Sequence, residues 1–374
     1  MSAAGSSLLV VAGEASGDEL GAAVVRELGV RAFGWGGSRL RAAGVETLQD
    51  VSSLGVMGIP SVLARAPALV RATRALLRAL RDRQPRAALL VGFSEYNSWL
   101  GPKLRRRGVR VLWYAPPQVW AWRPKRARKL ATACDRMAVL LPFERELWQR
   151  AGADVTWVGH PATDPPVMTR EQARRDLGLS SRRVLLALLP GSRAQEVRRH
   201  AGPMLTAAAE LGRRRPALDA RVIVAPTLDE GTRRRLVATA HEAGVAALFE
   251  PARRVIPAFD AALVASGTAT LECAVSDVPP VIVYRTDALS ALVARRLLRV
   301  RSVGLPNLIL DRAAFPELLQ SELEPPRLVQ AAAELIDNRP RYVEYCRQVR
   351  SELEIAGPGG ASLRVAEALR PWLR

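Results

Sequence analysis

The chain has 374 residues, 49 % of them apolar, and a formal net charge of +19. Its length sets an expectation of two domains rather than one, and the absence of any run of about 18 uncharged apolar residues excludes a membrane-spanning helix as a reading. Lysine occurs only at positions 103, 125 and 129, so the positive charge is almost all arginine. That skew reads as easily as a coding habit as a binding requirement, and no zinc-finger, RNP or helix-turn-helix signature accompanies it.

The first element is an apolar strand, Leu8–Ala12, preceded by no basic leader, so no signal peptide is expected and a cytoplasmic protein fits. The strand runs into VVAGEASGD (10–18), a turn into a helix over about 18–28. Such a turn resembles a phosphate loop, yet Glu14 and Asp18 would repel a phosphate and the lysine of a P-loop is missing. A strand at 31–34, a helix at 62–81, strands at 87–92 and 109–114 flanking a helix at 97–107, and a strand at 136–140 complete the first half. VGHPATDPP (158–166) reads as a linker. Strands at 184–189, 220–225, 261–265 and 280–284, with helices between them and a late helix at 327–336, form the second half. Repeated β-α units predict parallel sheets covered by helices, hence two doubly wound, Rossmann-like α/β domains facing across a cleft. The expected boundaries are 1–163, 164–340, and a C-terminal segment, 341–374, returning to the first domain. Cys134, Cys273 and Cys346 lie too far apart for a disulfide framework or a zinc site.

Ligands bind such sheets at the carboxyl ends of the strands, which directs attention to the loops. LALLPGSRAQEV (186–197) ends a buried strand in Gly191, where the backbone can approach a ligand, Ser192 with its hydroxyl, and Arg193 with a planar cation suited to a diphosphate. A plain strand-to-helix turn with a surface arginine is the competing reading. ALVASGTATLECA (262–274) opens a helix with Ser266, Gly267, Thr268 and Thr270, an uncharged anion cradle, and places Glu272 one turn in for a ribose diol. Its competing reading is Ser266 as a helix cap and Glu272 as a surface acid. Asn307 and Gln320 are polar tips in LPNLILDRAAFPELLQ (305–320) that complete a nucleotide pocket or cap a turn and a helix. With no metal-ligating motif in a suitable loop, the leaving-group charge falls to the helix start and Arg193, and no metal or cofactor is expected. In YAPPQVWAWRPKRARK (114–129), Trp120 and Trp122 line a cleft wall or belong to the core. VLARAPALVRATRALLRALR (62–81) has an apolar stripe edged by arginines that either packs on the sheet or lies on an acidic membrane surface. ALVARRLLRVRSVG (291–304) is of the same kind.

Taken together these segments resemble one family, the lipid-A-disaccharide synthases, inverting glycosyltransferases of the GT-B type. The resemblance rests on AGEASGD (12–18), GVMGI (55–59), QVWAWR (118–123), LPFE (141–144), VGHP (158–161), LPGSR (189–193), ASGTATLE (265–272), LPN (305–307) and ELLQ (317–320), in order along nearly the whole chain. It implies transfer of 2,3-diacylglucosamine from UDP-2,3-diacylglucosamine to 2,3-diacylglucosamine 1-phosphate (lipid X), with release of UDP. It places UDP in the C-terminal domain on Ser192, Arg193, Ser266, Gly267, Thr268, Thr270, Glu272, Asn307 and Gln320. The sugars then fall to Gly13, Glu14, Ser16, Gly17, Asn97 and Trp122, with Glu14 orienting its loop, so the opening turn serves hydroxyls and amides and not a triphosphate. It also implies a peripheral position on the inner membrane and allows a homodimer; nucleic acid is not an expected partner. One departure stands out. The family reads G-I-D-A-P-D-F-N after the third strand, its first Asp regarded as the general base, whereas this chain has VGFSEYN (91–97). Glu95 is the acid left to deprotonate the attacking hydroxyl. A different acceptor, or a non-catalytic lipid- or nucleotide-sugar-binding homologue, are the alternatives that this loop raises.

Overall fold

A computed structural model describes residues 7–50, 66–122, 124–164, 168–287, 302–355 and 359–374, without the side chains at 66 and 121–124. The chain divides into two compact units, Met1–Asp164 together with Ile355–Arg374, and Pro165–Glu354.

Unit 1 is built on seven strands: β1 Leu8–Ala12, β2 Ala32–Gly36, β3 Glu46–Asp50, β4 Ala87–Val91, β5 Arg110–Tyr114, β6 Arg136–Val139 and β7 Val155–Trp157. All pairs are parallel, in the order β3-β2-β1-β4-β5-β6-β7. Strand side chains alternate between faces, and both faces here are covered. Leu9, Val11, Ala88, Leu90, Val111 and Trp113 pack under the helix Ala66–Arg83, which buries Ala72, Leu76 and Leu80. Leu8, Val10, Leu89, Val91, Leu112 and Tyr114 pack on the other side, against the helices Ala15–Leu28 and Ala361–Leu373. The expected stripe at 62–81 is therefore a core-facing one over its described part, with Val70 left exposed.

Unit 2 has six parallel strands, β8 Val184–Leu189, β9 Leu218–Ile223, β10 Ala246–Leu248, β11 Ala261–Ala265, β12 Pro280–Tyr284 and β13 Glu317–Leu319, ordered β10-β9-β8-β11-β12-β13. Its long helix Ala194–Arg214 buries Val197, His200, Ala201, Met204, Leu205, Ala207, Ala208 and Leu211. The helix Arg339–Leu353 stays with unit 2, so the return to unit 1 begins at Ile355 and not near 341. On the unit 1 side, Asp164 accepts a 2.9 Å bond from the Ala361 amide, which fastens the start of the last helix where the chain leaves unit 1.

Beneath β11 in unit 2, Asp260 anchors the fold. Its carboxylate receives Arg174 Nη2 at 2.6 Å, Arg170 Nη1 at 2.7 Å and the Leu185 amide at 2.8 Å. A buried acid needs such a full complement of donors, because an unpaired charge at low dielectric is costly. The three cysteines are buried and free. Among the described residues no helix is long and apolar enough to cross a membrane.

Candidate functional site

In each sheet the strand order reverses once, and that switch point leaves a crevice at the carboxyl ends. In unit 2 it lies between β8 and β11. Leu189 is in register with Val264, so the turns carrying Arg193 and Ser266 leave adjacent strands at one edge. The loops after β12 and β13, carrying Arg285 and Gln320, extend the same edge.

The β8 turn is folded around its own acid. Glu196 accepts the Ser192 amide at 3.0 Å and Arg193 Nη1 at 3.3 Å. Gly191 has a φ of 132°, and a side chain there would overlap Glu196, so glycine is required on both counts. Ser192 and Arg193 are exposed. The β11 turn presents Gly267 and Thr268 to solvent at the start of the helix Thr268–Val275, with nothing among the described residues within 4 Å of where a Gly267 side chain would begin. Ser266 Oγ donates to the Val303 carbonyl at 2.8 Å, and Glu272 is half-buried.

Two of the expected nucleotide residues spend their groups inside the fold. Thr270 is fully buried and donates to the Gly267 carbonyl at 2.7 Å, closing the helix start from below. Asn307 is also buried: its Nδ2 donates to Phe315 O at 2.9 Å and Glu317 Oε1 at 2.8 Å, and its Oδ1 accepts the Ala314 and Phe315 amides at 3.0 and 2.8 Å. Asn307 thus stitches the 302–317 loop together, where Glu317 also accepts the Val303 and Gly304 amides at 2.9 and 3.1 Å. Gln320 stays at the edge, its Oε1 accepting the Thr286 amide at 3.3 Å.

The switch point of unit 1 lies between β1 and β4. It brings together Gly13, Glu14, Ser16 and Gly17 on one side and the loop Gly92–Glu95 on the other. A side chain at Gly13 would fall inside the Phe93 ring, and Phe93 itself has a φ of 43°. Glu14 and Ser16 are exposed and Gly17 is buried. Asp18, grouped with Glu14 on sequence as a repulsive acid, turns away from the opening. It is buried and accepts the Gly37, Arg39 and Leu40 amides at 2.6, 2.9 and 3.2 Å, capping the short helix Ser38–Ala42. Asn97 is buried with its Nδ2 on the Gly92 carbonyl at 2.8 Å, while its Oδ1 has no protein partner among the described residues. Trp122 lies in the four-residue helix Val119–Trp122, and its side chain is outside the described residues, as are GVMGI (55–59) and most of 291–304.

A profile of the lipid-A-disaccharide synthetase family matches residues 8–362. The chain belongs to the lipid-A-disaccharide synthase family. It is 41 % identical to the lipid-A-disaccharide synthase of Anaeromyxobacter sp. (strain K), across 98 % of this chain and 97 % of that one. The corresponding protein of Myxococcus xanthus (strain DK1622) is 40 % identical, covering 97 % and 96 %. The fold is GT-B, and two solved structures share it at low identity. The S. aureus MnaA-UDP co-structure has a TM-score of 0.67 at 13 % identity, covering 98 % of this chain and 97 % of that one. A calicheamicin glycosyltransferase has 0.60 at 16 %, covering 99 % and 98 %. As in its family, the chain is a glycosyltransferase.

The β4 loop carries the acid that was expected to act as the base. Glu95 is exposed at the start of the helix Ser94–Arg105, and Arg126 grips it with Nη1 and Nη2 at 2.7 and 2.9 Å. The hydrogen bond to Glu95 raises the pKa of Arg126. Sequence reasoning missed this partner; its only signal was the basic run at 123–129. Tyr96, next in line, is buried and stacked on Trp35 at 4.6 Å, and burial pushes its phenol up to about 12. Trp120 is anchored by its indole N–H on the buried Glu144 at 3.0 Å and meets Phe143 edge-on at 5.1 Å. Burial raises the Glu144 carboxyl above the ordinary range, against the pull of Trp120 and the Leu140 and Leu141 amides. His200 and Arg285 were missed as well. The signal for His200 was its place on the buried stripe of 197, 201, 204 and 208.

Proposed function

We propose that this glycosyltransferase makes the disaccharide with unit 2 gripping the UDP of UDP-2,3-diacylglucosamine and Glu95 of unit 1 serving as the base. Arg193 and the Ser192 amide receive the diphosphate, exchanging Glu196 for phosphate oxygens. The Gly267 and Thr268 amides and the Thr268 hydroxyl, on the turn that Ser266 ties to Val303, receive its other side, and Gln320 and Glu272 meet the nucleoside. Thr270 and Asn307 hold these loops in shape. Gly13, Glu14, Ser16, Gly17 and Asn97 form the sugar side, where the Asn97 Oδ1 has no hydrogen-bond partner among the described residues.

In the reaction the primary hydroxyl of the acylated sugar phosphate attacks the anomeric carbon of the donor. The new C–O bond forms as the bond to the β-phosphate oxygen breaks, UDP departs with that electron pair, and the hydroxyl proton passes to Glu95. Inversion follows from attack opposite the leaving group. Guanidinium and amide donors stabilise the charge that develops on the departing diphosphate.

The observation that carries this reading is the register of β8 with β11, which places Arg193 and Ser266 on neighbouring strand ends at the switch point. A fold-mate captured with UDP accords with it. For the acyl chains, Val70 and Trp99 are 46 % and 42 % exposed, on helices joined by the Thr73–Tyr96 hydrogen bond at 3.2 Å. Lys103 lies over the Trp99 ring at 4.6 Å, and Arg71 and Arg74 are exposed on the helix that carries Val70, as suits surfaces resting on acidic phospholipid.

The test is UDP release with both acylated sugars supplied. Turnover that falls at least tenfold in Arg193→Ala supports the assignment. UDP bound tightly with no turnover toward this acceptor defeats the catalytic part, and turnover toward a different acylated acceptor defeats the choice of acceptor.

A further inference from the structure

The strongest unassigned feature of unit 2 is a fully buried histidine that ties two loops of the edge just described. His200 lies on the helix Ala194–Arg214 with no exposed surface. Its Nδ1 sits 2.9 Å from the Pro190 carbonyl, and its Nε2 accepts the Arg285 amide at 3.0 Å. A backbone N–H can only donate, so Nε2 carries no proton and the proton resides on Nδ1. One ring therefore bonds the residue before the Gly191 turn and the residue after β12. The tie continues outward: Arg285 Nε donates to the Gln320 carbonyl at 2.9 Å and its Nη2 to Leu323 O at 2.5 Å, while the Thr286 amide meets Gln320 Oε1.

We propose that His200, as the neutral Nδ1-protonated imidazole, is a positioning residue that locks the Pro190–Arg193 turn to Arg285 and, through Arg285, to Gln320, and so fixes the geometry of the donor diphosphate site. The inference rests on the assignment of that site to UDP. An unbridged pair would leave a buried carbonyl and a part-buried amide unsatisfied, and both loops would shift to find water. Burial also holds the ring below the ordinary imidazole value, in keeping with a neutral bridge. Among the described residues the charged groups around it are Glu196 and Arg199 on its own helix, Asp287 3.8 Å from Arg199, and Arg285, whose guanidinium is turned to Gln320 and Leu323. None of them offers a second partner to Nε2 in place of the Arg285 amide.

Three measurements test this. The chain has three histidines, so ¹⁵N spectra of the wild-type protein can assign the His200 ring; the Nδ1–H tautomer is expected near neutral pH, and an Nε2–H or doubly protonated ring overturns the proposal. His200→Leu is expected to raise KM for the UDP-sugar about tenfold, about 1.4 kcal/mol, with the acceptor KM within about twofold. His200→Gln, which keeps a donor and an acceptor, is expected to recover at least half of that loss. Equal movement of both KM values, or none, in a folded variant overturns the positioning role. If His200→Leu does not fold, UDP titrated into the wild type must shift the His200 ring signals, and unmoved signals overturn it. Arg193→Ala separates the two levels. Unchanged UDP affinity in that variant removes the donor-site assignment, whereas weakened affinity beside an unaffected His200→Leu removes this inference alone.

Discussion

Glu95 and Arg126 face each other through two parallel hydrogen bonds of 2.7 and 2.9 Å, so both oxygens of the one acid in the β4 loop are engaged. A base must be oriented as well as available, and a guanidinium fork fixes the plane of a carboxylate. Removing the carboxylate and removing its holder are therefore distinct experiments. Glu95→Gln is expected to lower kcat by about 100-fold or more, the range of a lost general base, with KM for the donor nearly unchanged. Arg126→Ala is expected to keep kcat within about tenfold, because Glu95 persists, and to alter stability by no more than about 1 kcal/mol, since the pair is exposed. Steady-state UDP release checks both. Full turnover in Glu95→Gln would falsify the assignment of the base.

The contact between Gly13 and Phe93 makes a second prediction. With the aromatic ring lying where a Gly13 side chain would be, Gly13→Ala forces either the β1 turn or the ring to move. Overpacking of this kind costs about 1–3 kcal/mol, and here it falls at the switch point of the sheet. Urea denaturation of Gly13→Ala, Phe93→Ala and the double variant should show the second change recovering part of the first. Strict additivity would mean that the clash is relieved elsewhere.

Asp18 supplies the third. Three amides, those of Gly37, Arg39 and Leu40, converge on its buried carboxylate. Asp18→Ala leaves them without a partner, at a cost of about 1–3 kcal/mol. Asp18→Asn keeps one acceptor oxygen and should recover part of the loss. The midpoint of urea unfolding is the readout, and an unchanged midpoint in Asp18→Ala would mean that water replaces the cap.

Much of this architecture was legible because long parallel strands buried on both faces read as continuous apolar runs. Leu8–Ala12, Val184–Leu189, Ala261–Ala265 and Pro280–Tyr284 were placed at their observed limits for that reason. The strands missed are edge or near-edge pieces. β7, β10 and β13 have three residues each, and β3, ETLQD, is largely polar because one side of it is open. The turns at 190–193 and 266–268 were found through glycine beside hydroxyl and arginine at strand ends. What their neighbours do was not legible: Asp18, Thr270 and Asn307 have the residue types of binding groups, and only the fold reveals that their hydrogen bonds point inward. The pairing of Glu95 with Arg126 spans 31 positions, and no local pattern encodes it.

Stability against acid gives the last prediction, through His200. Its pKa in the folded state is lowered from 6.5, first by desolvation and despite the bonds to Pro190 and Arg285. Below about 6.5 the unfolded chain therefore binds a proton that the folded chain resists, so the stability tied to this ring is complete above about 6.5 and declines as the pH falls below it. Glu144 acts with the opposite sign. Its folded pKa is raised above 4.5, so its ionisation disfavours the fold at higher pH and its protonation relieves that cost on acidification. The two effects overlap in wild-type unfolding curves, and the quantity to compare is the difference between wild type and His200→Leu. Urea midpoints taken from pH 7.5 down to 5 should show the wild type losing stability relative to the variant as the pH drops. A difference that does not change with pH would mean that the ring titrates alike in the folded and unfolded chains, contrary to a buried imidazole whose Nε2 is occupied by a backbone donor.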